Sequence, residues 1–174
     1  IPALSELIIT PSAYQARFMD ISAAKAWATQ QCKAPLNVLI GHSMGAATAM
    51  IEAGATNKLG LKGADGFDAY VAMSPQGVGT IFVTDAWKNI KKPVLLLTGT
   101  KDNELNGTWE TRKDAFASLP VGCKWLGVID GATHISFAER SFSGKTESLI
   151  TQTTLAFLNG VTAKNCAMPE PLKG

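Results

Sequence analysis

Ser43, Asp102 and His134 are the residues of this chain whose types and order could do chemistry together. Ser43 sits in Gly41-His42-Ser43-Met44-Gly45, after the apolar run Val38-Leu39-Ile40 and before the small-residue stretch Ala46-Ala47-Thr48-Ala49-Met50-Ile51. That context predicts a strand, a sharp turn and a helix. A serine hydroxyl is a poor nucleophile at neutral pH, and a tight strand-to-helix turn lifts its Oγ above a sheet, beside a base and free helix N-terminal amides. Flanking glycines let the backbone turn without Cβ clashes.

The nucleophile needs a base, and the base needs a carboxylate to fix its tautomer and stabilise the imidazolium. The chain has two histidines. His42 is next to Ser43 within the turn, where its side chain points away from the hydroxyl, so the base falls to His134. His134 follows an apolar segment, at the strand end where open α/β sheets place their sites. Asp102 follows another apolar run in the same way. Asp130 competes for the acid role because it lies four residues before His134, but a carboxylate that close reads more naturally as a turn cap. Asp65, Asp68 and Asp85 fall in polar connections and read as solvated.

The elements that must position these residues follow from the pattern. Tyr14, Phe18, Ile21, Ala24 and Ala28 recur at helical spacing from Pro11 to about Gln31. A first strand spans about Asn37 to Gly41, and the helix after Ser43 runs to about Ala53, with Gly54 as its stop. A second strand, Ala69 to Met73, ends at Ser74-Pro75, and a third, Val94 to Leu97, is apolar on both faces, as buried parallel strands are. A helix from about Thr108 to Ser118, a fourth strand from Lys124 to Ile129, a loop Asp130 to His134 and a helix from about Lys145 to Asn159 complete the series. That last helix is predicted to stop at Gly160, with an irregular tail over 161–174. Strands alternating with helices predict one α/β domain over 1–174, a three-layer sandwich around a mostly parallel sheet.

Composition narrows the function classes. A 174-residue chain with 46% hydrophobic content can build one domain with a real core. The net charge of +2, with Lys and Arg scattered singly, argues against nucleic acid as a partner. No apolar stretch is long enough to cross a bilayer as a helix, and Ile1-Pro2-Ala3-Leu4 does not make a signal peptide. Low charge with abundant Thr, Ala, Asn and Gly suits an exported protein slightly better than a cytoplasmic one. Cys32, Cys123 and Cys166 are too few and too dispersed for a metal site; one disulfide with a cysteine left over, or three reduced thiols, both fit.

The order Ser43, Asp102, His134 resembles that of the α/β-hydrolases. The resemblance is carried by Gly41 to Gly45, by Met73-Ser74-Pro75-Gln76-Gly77, by Pro93 through Asp102 and by Asp130 through Phe137. It is similar in particular to the dienelactone hydrolase and platelet-activating-factor acetylhydrolase branch. The resemblance implies hydrolysis of a small or medium ester through an acyl-serine, without metal or organic cofactor. It implies an oxyanion donor in the backbone N–H of Met44, and a substrate pocket drawing on the side chains of Met44, Trp87, Trp109 and Phe137. The same three residues would permit acyl transfer to another acceptor, or lactone hydrolysis. A non-catalytic binding or assembly module with a misaligned site, or an inactive fragment, is the contrasting reading.

The family places its second oxyanion donor after an earlier strand. No HG-type segment precedes Val38 here, and the readable strands match the C-terminal half of the family sheet. The expectation is therefore a chain that forms the C-terminal part of a larger hydrolase, with the missing N-terminal strands or a second copy covering the first strand.

Overall fold

The computed structural model describes residues 4–105, 107–138 and 144–167. Four strands form one parallel sheet in the order β1-β2-β3-β4: β1 (Val38–His42), β2 (Ala69–Met73), β3 (Val94–Lys101) and β4 (Lys124–Thr133). Around them lie α1 (Leu4–Ile8), α2 (Pro11–Gln31), α3 (Met44–Glu52), α4 (Asp114–Ser118) and α5 (Gly144–Thr162), with 3₁₀ turns at Trp109–Lys113 and His134–Phe137.

The two-residue period of the strands divides the interior into two cores. Tyr70 and Ala72 of β2, with Val94 and Leu96 of β3, pack against α2, α3 and the connection carrying Ile81, Phe82, Trp87 and Ile90. Ala69, Val71, Leu95 and Leu97 point to the other face, where they meet Trp125, Ile129 and Phe157 of α5. The middle strands are thus apolar on both sides, and helices cover both faces of the sheet. β1 lies at an edge of the sheet among the described residues, with Ile40 exposed.

Several boundaries differ from those the pattern predicts. β4 continues through Asp130 and Gly131 to Thr133, so the predicted loop is strand up to His134, which opens a 3₁₀ turn. The extension is held by an irregularity in the β3–β4 register between Gly99 and Lys101 and by Thr100, whose Oγ1 donates to Asp130 Oδ1 and accepts from Gly131 N. The predicted helix 108–118 divides into the 3₁₀ turn and α4. Gly160 does not stop α5. A Cβ there would meet Asn165 O at 2.9 Å, so this glycine serves the close return of the chain, and Asn165 N donates back to Gly160 O. The helix extends two residues into the span read as tail, and residues 168–174 of that span lie outside the described residues.

Gly54 does stop α3. Its φ of +111° is a conformation that L side chains rarely adopt, and Ala55 N donates to Met50 O in the six-residue closure typical of a glycine-ended helix. The cysteines resolve as a Cys123–Cys166 disulfide, with Cys32 free and exposed. That bond ties the start of β4 to the segment after α5.

Candidate active site

The strand-to-helix turn at Ser43 sets the geometry of the site. Ser43 has φ 56° and ψ −117°, a strained backbone for a residue with a side chain, of the kind that costs on the order of 1–3 kcal/mol and persists only where its surroundings fix it. Its N–H donates to Met73 O at 3.0 Å, which fastens the turn to the end of β2. The two glycines play unequal parts. A Cβ at Gly41 would sit 2.1 Å from Gly45 O, so only glycine lets strand and helix approach there, whereas a Cβ at Gly45 would meet nothing within 4 Å.

Ser43 Oγ lies 3.0 Å from His134 Nε2, and His134 Nδ1 lies 2.9 Å from Asp102 Oδ1. Asp102 has no solvent exposure, while the His134 side chain is 37% exposed, so the carboxylate is sealed in and the imidazole opens to the cleft. Thr98 Oγ1 donates to Asp102 Oδ2 at 3.0 Å, giving the second carboxylate oxygen a partner. Asp130 is elsewhere: it is exposed and engaged by Thr100.

His42 is turned from Ser43 toward His134. Its Nε2 lies 2.9 Å from His134 O, and the two rings are 4.7 Å apart between centroids. Burial, and secondarily the neighbouring His134, lower its pKa, which favours a neutral ring able to donate from Nε2 to that carbonyl.

Arg112 is a component that sequence reasoning missed. It is buried in the 3₁₀ turn after β3, with Nε 2.9 Å from Asp102 Oδ1 and Nη2 3.2 Å from His134 Nδ1. Burial depresses its pKa and the Asp102 carboxylate opposes that shift. No motif marks it; the only signal in the sequence is a lone arginine ten residues beyond Asp102. Glu104, 3.9 Å from Arg112 Nη1, accepts from Gly77 N at 2.6 Å, and burial raises its pKa.

Ser43 and His134 open on a cleft of about 470 Å³, bounded by Ile8, Ile9, Leu105 and Gln76 among others. The volume suits a small or medium organic ligand. None of the aromatic residues expected there lines it. Trp87 is fully buried against Phe82, Phe137 packs in the core beneath α5, and Trp109 lies under the Lys113 ammonium. Each of these rings finds burial or a cationic partner away from the cleft. The Met44 side chain is likewise in the core, while its backbone N–H is the first amide of α3, a position with no intrahelical acceptor.

No protein-family model matches the sequence, and no curated protein does. Solved structures match the fold. A provisionally named dienelactone hydrolase from Klebsiella pneumoniae superposes with a TM-score of 0.59 at 18% identity, covering 82% of this chain and 60% of its own. The chain has the α/β-hydrolase fold. An esterase domain from Rhodothermus marinus matches the chain with a TM-score of 0.58 at 17% identity, over 83% of this chain and 67% of the other. A monoacylglycerol lipase from Paleococcus ferrophilus does so with 0.57 at 16% identity, over 83% and 76%. The chain spans about three fifths of the length of the first of these. Among its described residues, no helix is long and apolar enough to cross a membrane.

Proposed function

We propose that this chain is a serine hydrolase that cleaves carboxylic esters of small or medium size through an acyl-serine intermediate. The observation that carries the reading is the continuous relay from Ser43 Oγ to His134 Nε2 at 3.0 Å and from His134 Nδ1 to Asp102 Oδ1 at 2.9 Å. Structural neighbours named as an esterase and a lipase support the same chemistry by analogy of fold.

His134 Nε2 takes the Ser43 proton as Oγ attacks the ester carbonyl, and Asp102 holds the resulting imidazolium. The carbonyl oxygen becomes an oxyanion facing the Met44 N–H. As the tetrahedral adduct collapses, the ester C–O bond breaks and His134 returns the proton to the leaving alkoxide, which departs as alcohol. Water then attacks the acyl-serine with His134 again as base, releasing the carboxylic acid and restoring Ser43. Ile8, Ile9 and Leu105 give the cleft an apolar wall for the ester's hydrocarbon part. The chemistry calls for no metal or organic cofactor.

A fluorophosphonate probe tests the reading, since it forms a covalent adduct only with an activated serine. The expected result is one adduct, mapped to Ser43 by peptide mass, and none on Ser43→Ala. A folded wild-type protein that resists the probe would refute the proposal.

A further inference from the structure

Arg112 joins two loops of the site and also reaches the Asp102–His134 pair. A guanidinium offers five N–H donors. Nη1 donates to Ser74 O at 3.0 Å and to Pro75 O at 3.1 Å, joining the segment that follows β2. Nε donates to Asp102 O at 2.5 Å, and Nη2 to Asn103 O at 3.0 Å, joining the segment that follows β3. Nη2 also lies 3.2 Å from His134 Nδ1, whose own hydrogen is directed at Asp102 Oδ1 at 2.9 Å, so guanidinium and ring are neighbouring donors around one carboxylate.

The geometry points to Arg112 as a positioning residue for the acid–base pair: it fixes Asp102 against His134 and withholds part of the carboxylate's charge from the imidazolium. The inference rests on the serine-hydrolase reading above. Asp102 Oδ1 is shared between the imidazole and Arg112 Nε at 2.9 Å, so its negative charge is divided. The guanidinium also sits beside the ring that becomes positive during the reaction, and like charges at such range oppose each other. Both effects act on the Asp102–His134 contact that orients the ring toward Ser43.

The other titratable groups around His134 do not duplicate this role. His42 approaches from the end of β1 with its pKa lowered by burial, and Glu104 stands behind Arg112 at 3.9 Å. On α5, which packs against the 3₁₀ turn of His134, Lys145 and Glu147 are exposed in the first turn.

Histidine-ring ¹⁵N NMR separates this role from mere support of the fold. The chain has two histidines, and His42→Asn assigns the pair. In Arg112→Gln, the loss of the positive charge is expected to move the His134 titration to higher pH than in the wild type. In Arg112→Lys, which keeps the charge and loses the fork, the titration stays where the wild type has it while Ser43 labelling slows by roughly 10- to 100-fold. A folded glutamine variant whose His134 titrates with the wild type, or below it, overturns the inference. If the glutamine variant does not fold, the lysine variant decides, and labelling at the wild-type rate overturns it. Failure of the wild type to label refutes the hydrolase reading instead, and leaves the ring titration to report on Arg112 independently.

Discussion

Ser43 and Asp102 stand at the ends of β1 and β3, with β2 between them, and they are held in different ways. Ser43 is placed by main chain: a positive φ, an N–H bonded to Met73 O, and a glycine whose missing Cβ admits the first turn of α3. Asp102 and His134 are placed by side chains, with Thr98 on one carboxylate oxygen, Arg112 on the other and His42 on the His134 carbonyl. The main-chain half is compact in sequence and tolerates no added atom at one position. The side-chain half draws on residues far apart along the chain.

The largest effect is expected from Asp102→Asn. An asparagine cannot hold His134 in the tautomer that accepts the serine proton, and the loss should be about 10⁴-fold in the labelling rate of Ser43. Asp130→Asn should leave that rate unchanged, because Asp130 is engaged by Thr100 and lies outside the relay. Equal losses in the two variants would break the assignment of the side-chain half.

Gly41→Ala probes the other half. A methyl group 2.1 Å from Gly45 O cannot be absorbed by a rotamer change, so the turn must open, at a cost on the order of 4 kcal/mol of stability. Gly45→Ala meets nothing within 4 Å and should leave the melting temperature unchanged or raise it, by up to about 1 kcal/mol in stability. Thermal unfolding of the two variants side by side checks this, and similar losses would show that the motif works as a unit rather than through one glycine.

The smallest effect concerns the opposite rim of the sheet, which neither half uses. Lys124 opens β4 and is buried, with its Nζ donating to Lys92 O, and burial pushes its pKa from 10.5 down to about 8. Below about pH 8 the ammonium is charged in both folded and unfolded chains, and its burial cost is fully present. Between about 8 and 10.5 the unfolded chain binds more protons than the folded one, so this group's contribution to stability rises with pH. The gap in melting temperature between wild type and Lys124→Met should shift in favour of the wild type across that interval, with Ser43 labelling untouched. A gap independent of pH would show that Lys124 titrates normally.

The same division explains what the sequence made legible. The turn at Ser43 is contiguous, so apolar run, glycines and small residues announce it, and β2 falls on its predicted residues, Ala69 to Met73. Asp102 and His134 are legible from their places after strands. Arg112 is not, because its partners at 74, 75, 102, 103 and 134 meet only in three dimensions. The aromatic residues misled for a related reason: a tryptophan in a loop reads the same whether its ring faces a cleft or a core, and Trp87 faces the core. Asp130-Gly131 has turn chemistry, yet pairing with Thr100 keeps it in β4. At five residues, α1 is too short for helical periodicity to register.

The Cys123–Cys166 bond closes a covalent ring of chain that carries β4, His134 and α5, while Ser43 and Asp102 stand outside it. A single cut of the backbone anywhere within that ring would release nothing. The nicked protein would still migrate as one species of 18.4 kDa on a gel without reductant, and only on reduction would it separate into two pieces. His134 is thus linked to the rest of the molecule by two covalent routes, and Ser43 by the backbone alone.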